Sequence, residues 1–203
     1  MKKSLPALAM LWLLVPIVGF AQTSAVCETY EEFDHLMLAK DGGQAFELLS
    51  EDSQKFVEEV REISISADRE SLLEQPLPVI LAVFSVRSAA DGKAPASGGQ
   101  TLVDMARGYE ESSAVTEMGE ITINGNTASG AILVNGNPNP IDYSFVKEDG
   151  AWKVDMASQM KETEELMLGP IKASGMSKDK FLDQIAEAMK GEFSVDVWQP
   201  IGG

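Results

Sequence analysis

A tight turn flanked by alternating apolar and polar residues constrains this sequence more than any other feature. Asp149-Gly150 is a pair that two-residue hairpin loops prefer, because both central residues of a type I′ turn need positive φ. Antiparallel pairing outward from this loop sets the following residues opposite one another: Lys147 and Trp152, Phe145 and Val154, Tyr143 and Met156. Most of these side chains are large and apolar, and they share one face at a period of two residues. The sequence therefore predicts an antiparallel hairpin with one buried face.

Two further turn signals precede this hairpin. Asn124-Gly125 indicates a second two-residue loop, which sets Ile121 opposite Ala128 and continues the same face through Gly130. Small residues on that face indicate a bend or the close approach of a helix. The segment 135–140 contains two prolines, which cannot donate to a central ladder, so we expect it at an edge or rim. Together these segments predict a curled antiparallel sheet.

Apolar residues at helical spacing predict helices on both sides of the sheet. The expected helices cover 29–40, 45–49, 50–63, 68–75, 79–90, 101–107, 161–168 and 177–190, and a strand over 110–118 enters the sheet. Thr29 and Glu32 have the spacing of a capping box that begins the first helix. Gly169-Pro170 and Gly191 are expected to end the last two helices, and alternating apolar residues over 193–197 indicate a final strand.

The first 21 residues have the composition of a secretory signal peptide. Lys2 and Lys3 precede an apolar run that ends at Phe20, and small residues favour cleavage after Ala21. We therefore expect a periplasmic or secreted protein with a flexible N-terminus over 22–28 and no stable membrane span in the mature chain. An uncleaved anchor and a lipoprotein modified at Cys27 are the alternatives; the residues before Cys27 make a poor lipidation signal.

The net charge of the chain argues against two classes of partner. Lys and Arg number 16 against 32 Asp and Glu, which gives a formal charge of −16, and removal of the lysines of the leader lowers it to −18. Such a chain repels nucleic acid and anionic lipid surfaces. Cys27 is the single cysteine, so no intramolecular disulfide forms, and it is either an idle thiol or an intermolecular link.

Two hairpin motifs and one helical motif resemble the nuclear transport factor 2-like superfamily, in particular its small exported and lumazine-binding-type members. The matching segments are INGNTA at 123–128, VKEDGAWKV at 146–154 and FELLS at 46–50. The resemblance covers 29–158 and implies an α+β domain in which N-terminal helices pack on a curled, cone-shaped antiparallel sheet. Residues 159–203 have no counterpart in the family and form a predicted C-terminal helical extension.

Members of this superfamily share an apolar cavity between the sheet and the helices. If this chain has the cavity, Tyr143, Phe145, Trp152 and Val154 either line it or fill it, with His35 as a further ligand-binding candidate. The superfamily contains enzymes and pure binding modules, so the resemblance alone does not assign an activity.

The sequence lacks the residue sets of the common catalytic and metal sites. His35 is the sole histidine, and the two S-x-x-K matches at Ser158 and Ser177 lack the elements that accompany a nucleophilic serine. One histidine and one cysteine cannot form a zinc set. Met156 and Met160 lie one helical turn apart, but methionine usually fills core gaps rather than binding Cu(I). We predict no catalytic residues, metal or cofactor.

The function most consistent with the sequence is an exported, non-enzymatic module that binds a small apolar ligand or a protein partner. The alternative is a metal-free isomerase, dehydratase or hydrolase in which His35 or a pocket carboxylate acts as the base. The helix over 181–189 is a third candidate, as a surface for a partner.

Overall fold

The computed structural model describes residues 18–90, 92–106 and 116–202, with side chains from Thr23 onward. In these ranges the chain forms eight helices: α1 (Val18–Leu38), α2 (Gly42–Glu47), α3 (Glu51–Ser66), α4 (Arg69–Leu73), α5 (Leu77–Ala89), α6 (Gly98–Met105), α7 (Met156–Ala173) and α8 (Lys178–Phe193). The strands are β1 (Thr116–Asn124), β2 (Thr127–Val134), β3 (Asn137–Pro138), β4 (Tyr143–Glu148) and β5 (Ala151–Val154). The predicted α+β class is confirmed.

The five described strands form an open antiparallel sheet in the order β1-β2-β4-β5, with β3 paired to β2. The predicted register of the β4–β5 hairpin is confirmed, with Lys147 opposite Trp152. Asp149 and Gly150 have φ of 49° and 86°, as a type I′ turn requires. Tyr143 opposite Met156 is wrong, because β5 ends at Val154 and Met156 begins α7.

The β1–β2 hairpin turns one residue later than predicted. Ile123, rather than Ile121, lies opposite Ala128, so the loop is Gly125-Asn126. Gly125 has φ of 62° at the first loop position, which fits a type II′ turn. Each β2 residue therefore pairs with a β1 residue two positions later than predicted. Because side chains alternate between faces with a period of two, the buried face is unchanged. A register shift between Met118 and Ile121 bends the strand, and a Cβ on Gly130 would lie 2.3 Å from the Met118 sulfur.

Segment 135–140 begins with a turn in which Asn135 and Gly136 both have positive φ, as Asp149 and Gly150 do, and the short strand β3 follows. Pro138 and its neighbour Asn137 are exposed, as expected for the rim of a sheet.

The N-terminal part of the described chain departs from the prediction. The segment 22–28, expected to be flexible, lies inside α1, and the side chain of Val26 is fully buried. The Thr29 hydroxyl donates to the Ala25 carbonyl at 2.9 Å, so Thr29 is an interior residue and the capping box is wrong. The physical reason is a stripe in which Val26 continues the apolar face of Tyr30 and Phe33 one turn towards the N-terminus.

The middle of the chain follows the prediction closely. Ser50 caps α3 and Asp68 caps α4, and the ambiguous apolar run over 79–90 is helix α5. The helix expected over 101–107 begins earlier, because the Ser97 side chain accepts from the Gln100 N–H. Most of the strand expected over 110–118 lies outside the described residues, and β1 begins at Thr116.

The C-terminal part of the described chain departs from the prediction in three places. Helix α7 continues through Gly169-Pro170 as far as Ala173, and burial of Ile171 supplies the packing that favours the extra turn. Helix α8 passes Gly191 and ends at Phe193, and Ser194 caps it with φ of 58°. The expected final strand is absent from the described C-terminal segment, because Val197 and Trp198 are held in the helical core rather than in a sheet.

The described part of the molecule has two apolar cores. The first lies between α1, α2, α3, α6 and the sheet, and the second joins α3, α4, α5, α7, α8 and the C-terminal residues. In the second core Trp198 packs edge-on against Phe84, with ring centroids 4.9 Å apart. Among the described residues no helix combines the length and apolar character needed to cross a bilayer.

Candidate functional site

A small apolar cavity lies where α1, α6, β4 and the first turns of α7 meet. It has a volume of about 140 Å³. The residues that line it are Phe33, Asp34, Met37, Leu102, Met105, Ala106, Tyr143, Met156 and Met160. Most of the wall is therefore hydrocarbon or thioether, with one carboxylate and one phenol.

Helix α1 supplies one wall. Phe33 and Met37 are one turn apart and project from the same face, and Asp34 follows Phe33 at the side. One turn earlier, the ring of Tyr30 packs edge-on against Tyr143 with centroids 5.2 Å apart. This aromatic pair fixes the distance between α1 and the start of β4.

Helix α6 supplies the opposite wall and is positioned by a glycine contact. A Cβ on Gly42, at the start of α2, would lie 2.0 Å from the Gly99 carbonyl oxygen of α6. The two backbones touch because neither residue has a side chain. This close approach sets the position of Leu102 and Met105, which follow Gly99 along α6.

The start of α7 is fixed by two hydrogen bonds. The Asp155 carboxylate accepts from the Ser158 N–H at 3.2 Å, and the Ser53 hydroxyl of α3 accepts from the Ala157 N–H at 3.1 Å. They hold the first turn of α7 so that Met156 and Met160 both face the cavity. Tyr143 and Met156 thus share the cavity, although they are not ladder partners.

Burial determines the protonation state of Tyr30, the ionisable residue beneath the cavity. The Tyr30 hydroxyl is buried, and within the described part of the chain it makes no hydrogen bond of good geometry. Burial raises the pKa of Tyr30, the neighbouring Thr116 hydroxyl lowers it in part, and the Asp34 carboxylate raises it further. Tyr30 is therefore neutral at neutral pH and serves as an apolar support.

The structure separates the site residues that the sequence predicted. Tyr143 lines the cavity. Phe145, Trp152 and Val154 are 1%, 5% and 0% exposed and belong to the core beneath the sheet. His35 is exposed on α1 and is not among the lining residues. Of the predicted set, the structure thus brings Tyr143 to the cavity and leaves His35 at the surface.

Sequence reasoning missed most of the cavity wall. The helical spacing of Phe33 and Met37 was a usable signal, since it placed both on one face of the first helix. Nothing local connected that face with Leu102 and Met105, whose position depends on the contact between α2 and α6.

A second depression, of about 430 Å³, lies between α3, the start of α5 and α7. It is larger and more polar, and two of its charged groups already have partners within the fold. Lys55 pairs with Glu51 at 3.0 Å, and the Glu164 carboxylate accepts from the Leu77 N–H at 3.2 Å. Met160 lies between the two depressions. We therefore take the smaller, apolar cavity as the candidate site.

No cluster of three or more His, Cys, Asp or Glu side chains suited to a metal ion occurs in the ranges that the structure describes. Neither a protein family, a characterised protein nor a solved structure matches this chain. The cone-shaped, nuclear transport factor 2-like architecture is therefore an expectation from the motifs, and the function must be inferred from the site itself.

Proposed function

We propose that this protein is an exported, non-enzymatic module that binds a small apolar ligand in the cavity between α1, α6, β4 and α7. The observation that carries the proposal is the apolar wall of that cavity. Removal of apolar surface from water is the main source of affinity in such a site.

The volume of the cavity limits the size of the ligand. Pockets for drug-sized molecules usually enclose about 300 to 1,000 Å³. This cavity encloses about 140 Å³, which is close to the roughly 150 Å³ of an engineered apolar cavity that holds benzene. A single aromatic ring, a short branched alkyl group or one apolar side chain of a partner protein therefore suits it.

A cavity-filling substitution tests this proposal. Ala106 lines the cavity, whereas Ala188 is exposed on α8. We expect benzene to raise the melting temperature of the wild-type protein and of Ala188→Leu, but not of Ala106→Leu, whose added side chain occupies the site. At a hundred times its Kd, a ligand specific for the folded state adds about 2.7 kcal/mol to the free energy of unfolding. A benzene-induced shift in Ala106→Leu equal to that of the wild type would place the binding elsewhere.

The enzyme alternative has one observation in its favour. With His35 at the surface, the base would be Asp34, whose carboxylate lies at the cavity with the phenol of Tyr143. In this alternative Asp34 abstracts a proton next to a carbonyl group. The protein would then catalyse exchange of the α-protons of a small ketone, such as cyclohexanone, with D₂O. Asp34→Asn is expected to reduce that exchange rate at least about 100-fold. Equal exchange rates for wild type and Asp34→Asn, measured by proton NMR, would argue against an enzymatic base.

A further inference from the structure

The cavity is unusually rich in thioethers. Four of its nine lining residues are methionines, whereas the whole chain of 203 residues has ten. They come from three helices that are distant in sequence: Met37 from α1, Met105 from α6, Met156 and Met160 from α7. The fold therefore gathers soft sulfur donors that the sequence keeps apart.

Core filling accounts for only part of this grouping, since Met37, Met105 and Met156 pack against the first core and also line the cavity. A methionine that plugs a gap is buried and leaves no space beside it. Each of these four side chains is partly exposed, and together they surround an open volume of about 140 Å³. Each sulfur lies in a flexible side chain with three rotatable bonds, so its position can adjust to a ligand in the cavity.

We propose that the four methionines bind one Cu(I) ion in this cavity. Thioethers are soft, neutral donors that favour Cu(I) over hard cations such as Mg²⁺ or Ca²⁺. Two features of the surroundings attract a cation: Asp34 lines the cavity, and the chain carries a formal charge of −16. The faces of Phe33 and Tyr143 complete the wall and are themselves attractive to cations. The ion enters as Cu(I), and no electron is transferred.

Methionine-to-leucine substitution separates this inference from the binding of an apolar ligand. The exchange nearly conserves volume and keeps the wall apolar, but removes the sulfur. All variants carry Cys27→Ser, because the partly exposed Cys27 thiol is a competing soft donor. Met167 and Met189 lie outside the cavity, so Met167→Leu with Met189→Leu is the matched control.

Cu(I) binding is measured in oxygen-free buffer by competition with the chelator bathocuproine disulfonate. We expect one Cu(I) per chain in the Cys27→Ser protein and in the control, and loss of binding when all four cavity methionines are leucine. If the fourfold variant is poorly folded by circular dichroism, Met156→Leu with Met160→Leu replaces it. That pair is expected to weaken binding at least about tenfold, the smallest effect typical of removing even an outer partner of a metal ligand.

Undiminished Cu(I) affinity in the leucine variants, or no Cu(I) bound by the Cys27→Ser protein, overturns the inference. Benzene binding is measured on the same proteins. Retention of benzene binding with loss of Cu(I) supports both proposals, whereas Cu(I) binding without benzene binding supports the metal site and contradicts the apolar-ligand function.

Discussion

Replacement of Arg87 by methionine is expected to lower the free energy of unfolding by about 3 to 5 kcal/mol. Arg87 is 2% exposed within α5. Its guanidinium donates to the carbonyls of Ser64, Ile63 and Ala67 near the end of α3 at 3.0, 3.1 and 2.6 Å, and to that of Val197 at 3.0 Å. The Ile63 and Ser64 carbonyls also accept from the backbone N–H groups of Ala67 and Ile201. The carbonyls of Ala67 and Val197 have the guanidinium as their donor in the part of the chain that the structure describes.

The cost is high because the substitution leaves the carbonyls of Ala67 and Val197 without this donor. The total stability of such a domain is only about 5 to 15 kcal/mol. Burial lowers the pKa of Arg87 to about 10, and the nearby Asp196 carboxylate partly opposes this effect. The guanidinium therefore stays charged at neutral pH, and its charge-assisted hydrogen bonds persist.

Urea denaturation of Arg87→Met and Arg87→Lys measures this effect. The lysine variant keeps the charge but cannot match the planar fork of donors, so we expect an intermediate loss. Arg61→Met is the control, because Arg61 forms one partly exposed ion pair with Glu58 at 2.7 Å on α3. That change is expected to cost less than about 1 kcal/mol. Equal losses of unfolding free energy in Arg61→Met and Arg87→Met would show that the hydrogen bonds from Arg87 to the backbone carbonyls add no more stability than a surface ion pair.

The second large effect is expected at the contact between α2 and α6. In Gly42→Ala the new methyl group would lie 2.0 Å from the Gly99 carbonyl oxygen and 2.7 Å from its carbonyl carbon. Those atoms belong to the backbone and cannot rotate away, so the helices must separate. We expect a loss of about 3 kcal/mol, the upper part of the range for overpacked cores, and weaker benzene binding because α6 carries Leu102 and Met105.

The neighbouring glycine supplies a matched control. A Cβ on Gly43 would meet only the Asp41 carboxylate oxygen, at 3.8 Å. Gly43→Ala is therefore expected to leave stability unchanged or to raise it by up to about 1 kcal/mol, since alanine restricts the unfolded chain. Urea denaturation of both variants decides the matter, and a Gly42→Ala protein as stable as Gly43→Ala would refute the close contact.

The parts of the fold that the sequence predicted are those with local causes. The Asp149-Gly150 turn and the alternation beside it gave the β4–β5 register, and side-chain caps gave the starts of α3 and α4. The Gly125 loop was displaced by one residue because two turn types compete at an Asn-Gly pair.

The remaining features depend on contacts between segments distant in sequence. Pro170 usually ends a helix, yet burial of Ile171 carries α7 one turn further. Arg87 has no local pattern that distinguishes it from a surface arginine. Met37 and Met105 line the same cavity, and the close approach of Gly42 to Gly99 sets the position of α6, which carries Met105. For this reason the sequence predicted the sheet in more detail than the cavity.

Methionine methyl NMR tests the central claim, that the cavity binds a small apolar ligand. Protein labelled with ¹³C at the methionine methyl groups is titrated with benzene. We predict saturable shifts for Met37, Met105, Met156 and Met160, which line the cavity, and none for Met167, Met176 and Met189, which lie elsewhere. Assignment follows from the leucine variants. No saturable shift at the four cavity methyls up to the solubility limit of benzene, or equal shifts at all seven, would contradict the proposed function.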